Sequence, residues 1–338
     1  MQKPIGVLQR IQSSSWFLSR WALKIYLFLF AAIGVILAAT FVWTNVQVSS
    51  IEKRFPPTGS LVGPNNERIH FVDIPLQPGR SGPTILFLHG ASGNLKDQMI
   101  PFAPALRGKA RMIFVDRPGH GYSDRAGAET PAQQAERYEY LLDNLNVDQV
   151  TIVGHSVGAA SAAAFAVLYP QRIRGLVLLA PATHPWPSGV SWYYDLATLP
   201  VIGHIFTETV LVPVGMLTLG NAIDEVFQPQ SPPDDYMENA AIPLLFRPRI
   251  FRNNARDVVG LNRFVEDFSI RYSEITAPTI IITGDVDDVV SPAIHSVGLE
   301  RDIPGAELMV IPGLGHKPEY AATEASVEAI LKVSKNDP

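Results

Sequence analysis

The chain has 338 residues, 47% of them hydrophobic and 17% charged, with no cysteine and a formal net charge of −5. That length supports a large core without disulfides or a structural metal. The missing cysteine excludes a thiol nucleophile, Cys-ligated zinc and iron–sulfur clusters. A low charged fraction with a positive mean hydropathy excludes a disordered chain.

Ile25 to Trp43 (IYLFLFAAIGVILAATFVW) is a run of 19 residues without a charge. As a helix it spans roughly 28 Å, close to the hydrocarbon thickness of a bilayer. Tyr26 and Trp43 stand near its ends as interface anchors. Lys3, Arg10, Arg20 and Lys24 precede it, and no acid comes before Glu52. The positive-inside rule therefore places residues 1–24 in the cytoplasm and the chain beyond Trp43 on the exported side, periplasmic or extracellular. Cleavage as a signal peptide is the competing reading, with Ala38 and Ala39 as small residues. The run exceeds the usual h-region of about 7–15 residues, which favours a retained single-pass anchor. Past residue 44 the net charge is −9 (23 basic, 32 acidic residues). No Lys/Arg cluster appears there, so nucleic-acid binding has no electrostatic footprint.

Residues 44–60 are polar, contain Pro56-Pro57, and read as a short linker. Compact apolar runs follow: Ile85–Leu88, Met112–Val115, Val150–Val153, Leu176–Leu179, Thr279–Thr283 and Leu308–Ile311. Continuous rather than alternating apolarity suits parallel strands covered on both faces. Helical stretches between them supply the crossovers. Thr130, Pro131 and Gln133 mark one helix start as a capping box with proline at its first position. Arg68–Ile74 is expected to add an antiparallel edge strand. The fold class is α/β, a mostly parallel doubly wound sheet built from residues 61–182 and 273–338. Between them, residues 183–272 hold nine prolines and twelve aromatic residues without a comparable strand. A stretch that long needs structure of its own, and Val258–Phe268 has helical spacing. It is expected to form a mostly helical cap.

Gly154-His155-Ser156-Val157-Gly158 fits G-x-S-x-G. It follows the Val150–Val153 run and opens an alanine-rich helix, Val157–Tyr169, which is the strand–turn–helix setting the motif requires. A serine hydroxyl needs a base to take its proton. Of eight histidines, only His316 follows the last apolar run, in a loop loosened by Gly313 and Gly315. The imidazole in turn needs a carboxylate, and Asp285, Asp287 and Asp288 after the penultimate run all offer one. Charge developing on an attacked carbonyl oxygen needs preorganised donors. The Val157 amide, at a helix N-terminus, is the first; the Ala91 amide, in His89-Gly90-Ala91-Ser92-Gly93, is the second candidate. Ser92 reads as a turn former.

Taken in order, these residues resemble the α/β-hydrolase superfamily over about residues 61–338. Asp116-Arg117-Pro118-Gly119-His120-Gly121-Tyr122-Ser123-Asp124 is similar to its segment after the strand preceding the nucleophile, which is architectural there. The resemblance implies the acid at Asp287, through G-x-x-D, and the base at His316. It implies no cofactor and no metal. Serine at the nucleophile position argues against relatives that open epoxides or release halide through an aspartate. Esterases, lipases, lactonases, C–C bond hydrolases and cofactor-free haloperoxidases remain. The leading expectation is hydrolysis of an ester-type carbonyl through an acyl-enzyme, on a partly apolar small molecule. C–C bond cleavage or haloperoxidase chemistry with the same residues is the alternative, and a non-catalytic binding protein on the same fold is a third.

Overall fold

The computed structural model describes residues 6–335, with side chains from Trp21 onward. Lys3 and the side chains of Arg10 and Arg20, which carry the orientation argument, lie outside that set. Helix α1 (Gly6–Arg54) contains the apolar run and is long and apolar enough to cross a membrane. It does not stop at Trp43. The stretch expected to be a linker is helical to Arg54, because no breaker precedes Pro56-Pro57. Ile51 and Phe55 gain burial by packing on the cap.

The sheet has eight strands in the order β1-β2-β4-β3-β5-β6-β7-β8. They are β1 (Ser60–Val62), β2 (Ile69–Ile74), β3 (Thr84–Leu88), β4 (Arg111–Val115), β5 (Val150–His155), β6 (Ile173–Leu179), β7 (Thr279–Gly284) and β8 (Glu307–Ile311). From β4 to β8 all pairings are parallel; β2 runs antiparallel to β4 and β1 antiparallel to β2. The expected edge strand is thus antiparallel but second from the edge. Three residues of β1, between turn-forming neighbours, are too short a run to show strand periodicity.

Alternate residues of each central strand feed two cores. Leu86 and Leu88 of β3 join Tyr138 and Leu142 of α3 (Pro131–Asn144) and Phe165 of α4 (Val157–Leu168) on one face. Ile85 and Phe87 join Phe102 of α2 (Leu95–Ala105) and Ile330 of α12 (Thr323–Ser334) on the other. Each such side chain contributes about 1.5–3 kcal/mol of burial, which is why these strands read as unbroken apolar runs. The α3 capping box forms as expected: Gln133 N–H donates to Thr130 Oγ1 and Thr130 N–H to Gln133 Oε1.

Between β6 and β7, where the cap was expected, the chain builds a helical insertion: α5 (Trp192–Thr198), α6 (Ile202–Thr209), α7 (Leu211–Phe227), α8 (Tyr236–Asn239), a 3-10 turn (Ile242–Phe246) and α9 (Pro248–Phe268). Two short helices, α10 (Ser296–Asp302) and α11 (Pro318–Ala321), complete the set. The connection from β3 leads to β4 on one side, and that from β5 leads to β6 on the other. Their carboxyl ends therefore frame the crevice where strand order reverses, the usual ligand position in open α/β sheets.

Candidate active site

Ser156 sits between β5 and α4 at φ +52°, ψ −119°, a conformation that non-glycine residues hold only when their surroundings enforce it. Close packing enforces it here. A β-carbon on Gly158 would lie 2.4 Å from the Leu88 carbonyl oxygen, and one on Gly154 2.7 Å from the Ala159 α-carbon. Only glycine at both positions lets α4 start this close to β3 and β5. Ser156 N–H donates to the Leu179 carbonyl at 3.0 Å, fixing the turn against β6.

The structure brings Ser156, His316 and Asp287 into one line. Ser156 Oγ lies 3.1 Å from His316 Nε2, and His316 Nδ1 lies 2.8 Å from Asp287 Oδ2. All three are buried. Asp287 Oδ1 accepts from the Val289 and Val290 amides, each at 2.9 Å. Burial alone would push the Asp287 carboxyl up, but the His316 hydrogen bond and charge, with the two amides, hold it below its ordinary value. Asp285 and Asp288 are exposed, and Asp285 instead accepts from Gly313 N–H. Of the three acids, only Asp287 reaches the histidine.

Val157 and Ala91 flank the same serine. Gly90 runs so close that a β-carbon there would lie 3.2 Å from Ser156 Cβ. No hydrogen-bond partner for the Val157 or Ala91 amide is found among the described residues. Ser92 is at φ +60°, as a turn former, and it also meets the cap. Its amide donates to Asn254 Oδ1 at 2.7 Å, and its hydroxyl lies 3.3 Å from the Tyr194 hydroxyl. Beside Val157, Leu261 and Val265 of α9 close an apolar cluster with Ala91, Trp186 and Val290 packed against it.

Sequence reasoning missed three supports. Gln230, after α7, donates to the Gly313 carbonyl at 2.7 Å and accepts from Gly315 N–H at 3.0 Å, bracing the His316 loop. His155 Nε2 donates to the His316 carbonyl at 3.0 Å; burial drives its pKa well below the ordinary histidine value, so it serves as a neutral donor. The third is a buried cluster behind the histidine, where Asp97, His155 and Glu319 each place a ligand atom within 4.8 Å of the others. Lys317 Nζ lies 2.8 Å from both carboxylates and supplies the cation there. Burial opposes that charge, but Asp97 and Glu319 outweigh it and raise the Lys317 pKa.

The segment from Asp116 to Asp124 holds structure together. Asp116 accepts from the Leu95 and Tyr122 amides, each at 2.8 Å. Arg117 is wholly buried and reaches across to Asp257 on α9.

A family model described as the alpha/beta hydrolase fold matches residues 83–318. The chain belongs to the alpha/beta hydrolase family. It is 28% identical over 274 residues to a 2-hydroxy-6-oxononadienedioate/2-hydroxy-6-oxononatrienedioate hydrolase of Cupriavidus pinatubonensis, covering 78% of this chain and 89% of that protein. It is 25% identical over 275 residues to a 2-hydroxy-6-oxo-6-phenylhexa-2,4-dienoate hydrolase of Burkholderia cepacia, covering 78% and 90%. Among solved structures it resembles the meta-cleavage product hydrolase of Pseudomonas fluorescens, with TM-score 0.64, 19% identity, and 81% and 97% of the two chains covered. At that identity the last likeness speaks for the fold. This hydrolase therefore acts on a small molecule.

Proposed function

We propose that this hydrolase cleaves a carbon–carbon bond beside a ketone, in an enol-diketone of the class its relatives are named for, with Ser156 as nucleophile. The observation that carries it is the buried Ser156–His316–Asp287 line; the relatives' names choose the bond. They move the reading from an ester to its alternative, C–C hydrolysis.

In a 2-hydroxy-6-oxo-dienoate, shifting the enol proton along the diene leaves a ketone flanked by an acidic carbon. His316 Nε2 takes the Ser156 proton as Oγ adds to that ketone carbon. The oxyanion is held by the Val157 and Ala91 amides. Collapse breaks the bond to the flanking carbon, whose electron pair delocalises through the double bond to the distal carbonyl. The proton on His316 neutralises that leaving group. Water, deprotonated by His316, then adds to the acyl-Ser156 ester and releases a carboxylic acid, restoring the Ser156 hydroxyl. Asp287 fixes the imidazole tautomer throughout and stabilises its charged form. Residues 183–272 act as the cap that covers this chemistry. Helix α1 tethers the enzyme to a membrane, with the N-terminus cytoplasmic and the hydrolase domain exported, as the basic flank predicts.

The test compares kcat/KM of the detergent-solubilised full chain on a synthetic 2-hydroxy-6-oxo-dienoate and on p-nitrophenyl acetate. The dienoate is expected to be favoured by at least about 100-fold. An ester turned over as well as or better than the dienoate contradicts C–C hydrolysis and restores the ester reading.

A further inference from the structure

The outer face of the cap is apolar where a soluble domain would be charged. Leu217 is 86% exposed, Trp192 70% and Val201 69%, and Ile202, Ile205 and Val214 project beside them. From Leu196 to Ile223 the only ionisable residues are His204 and Glu208, and Glu208 is occupied by Arg252 at 3.2 Å. So contiguous an apolar surface needs an occupant.

The course of α1 identifies that occupant. Ile25 to Trp43 of this helix are apolar and largely exposed. At Thr44, the first residue past the uncharged run Ile25–Trp43, burial becomes complete. The helix packs there and beyond on α6, α7 and the 3-10 turn, and Ile51 shares a core cluster with Leu211 and Val212 of α7. If α1 spans a bilayer, α6 and α7 lie at the level where it emerges. These two helices are together apolar enough for a broken or re-entrant span, but they bend by 64°. Helix α6, about 12 Å long, is too short to cross. An elbow of that shape dips into one leaflet. Trp43 on α1 and Trp192 on α5, the helix before the elbow, are both exposed, as aromatic side chains are at a lipid–water boundary.

We infer that the α6–α7 elbow of the cap is embedded in the lipid leaflet from which α1 emerges, making the cap a membrane-facing surface. The inference rests on the reading of α1 as a membrane span. Helix α5, next to the elbow, also carries Tyr194, whose hydroxyl meets Ser92 in the loop that runs past Ser156.

Because the chain has no cysteine, single substitutions in the full chain accept a unique bimane label. Three sites suffice: Leu217→Cys at the elbow, Ile33→Cys in the middle of the apolar run and Glu328→Cys on the exposed face of α12. The proteins are reconstituted into phosphatidylcholine vesicles with or without a nitroxide on the acyl chains. The inference predicts that nitroxide removes about half or more of the emission at residue 217, as at residue 33, and leaves residue 328 bright. Quenching at 33 with residue 217 as bright as 328 overturns the embedded cap and leaves the anchor standing. No quenching at 33 overturns the anchor and the embedded cap with it. A residue 217 label that lipid nitroxide leaves unquenched, with unlabelled Leu217→Cys protein cross-linking as a dimer, assigns the face to a second copy and also overturns the inference.

Discussion

Asp257, on cap helix α9, accepts a 2.9 Å hydrogen bond from Arg117 at the end of β4, and both side chains are buried. The same carboxylate accepts from Arg125 Nη1 at 2.7 Å. Two core arginines thus hold the cap by one acid, 140 and 132 residues away in the chain. Removing the acid strands a buried guanidinium, which costs about 3–5 kcal/mol. Asp257→Ala is expected to lower the urea midpoint accordingly, with Asp257→Asn losing less because it keeps an acceptor oxygen.

His120 lies in the same cluster, donating from Nδ1 to the Pro118 carbonyl and accepting at Nε2 from Arg117. Burial first, and then the nearby Arg117 charge, push its pKa down to about 4 from an ordinary 6.5. As pH falls, the unfolded chain takes up this proton before the folded one does. Stability is therefore lost from about pH 6.5 down to about pH 4 and levels off below. Urea midpoints measured across that window should fall in the wild type and fall less steeply in His120→Gln. His295, also pushed down to about 4, chiefly by burial, accounts for part of the remaining slope.

Gln230 grips both sides of the turn that presents His316. Losing it releases the loop without touching the reacting atoms. Gln230→Ala should lower kcat by about 10-fold, the worth of a hydrogen bond or so, with KM little changed. Gln230→Glu, which keeps the acceptor for Gly315 N–H, should recover part of the loss.

Asp287 orients the imidazole from one oxygen and is itself oriented through the other. Asp287→Asn preserves the amide contacts but offers the wrong partner to Nδ1. A drop in kcat of about 10⁴-fold is expected, while Asp285→Asn and Asp288→Asn stay near wild type. Equal losses from all three would place the acid elsewhere.

Whatever depends on a few neighbouring residues could be read from the chain. The five central strands, β3 to β7, showed as apolar runs because both faces are buried, and β8 showed as one too although it is the half-exposed edge strand. Ser156 showed through the glycines that its turn demands, and His316 through its place after the last strand. What escaped joins segments far apart. Arg117 gives no hint of Asp257, nor Gly315 of Gln230, since each pair is made only when the cap closes on the sheet. β1 was too short for periodicity to register. The polar residues after Trp43 concealed a helix whose Ile51 and Phe55 find their apolar partners only in the cap.

The most direct test of the central claim, that Ser156 is an activated nucleophile, is labelling by a fluorophosphonate followed by peptide mass analysis. The account predicts one phosphonyl adduct, on the peptide containing Ser156, formed by the wild-type chain and lost in folded His316→Ala protein. An adduct on another residue, or none on a folded wild-type chain, contradicts it.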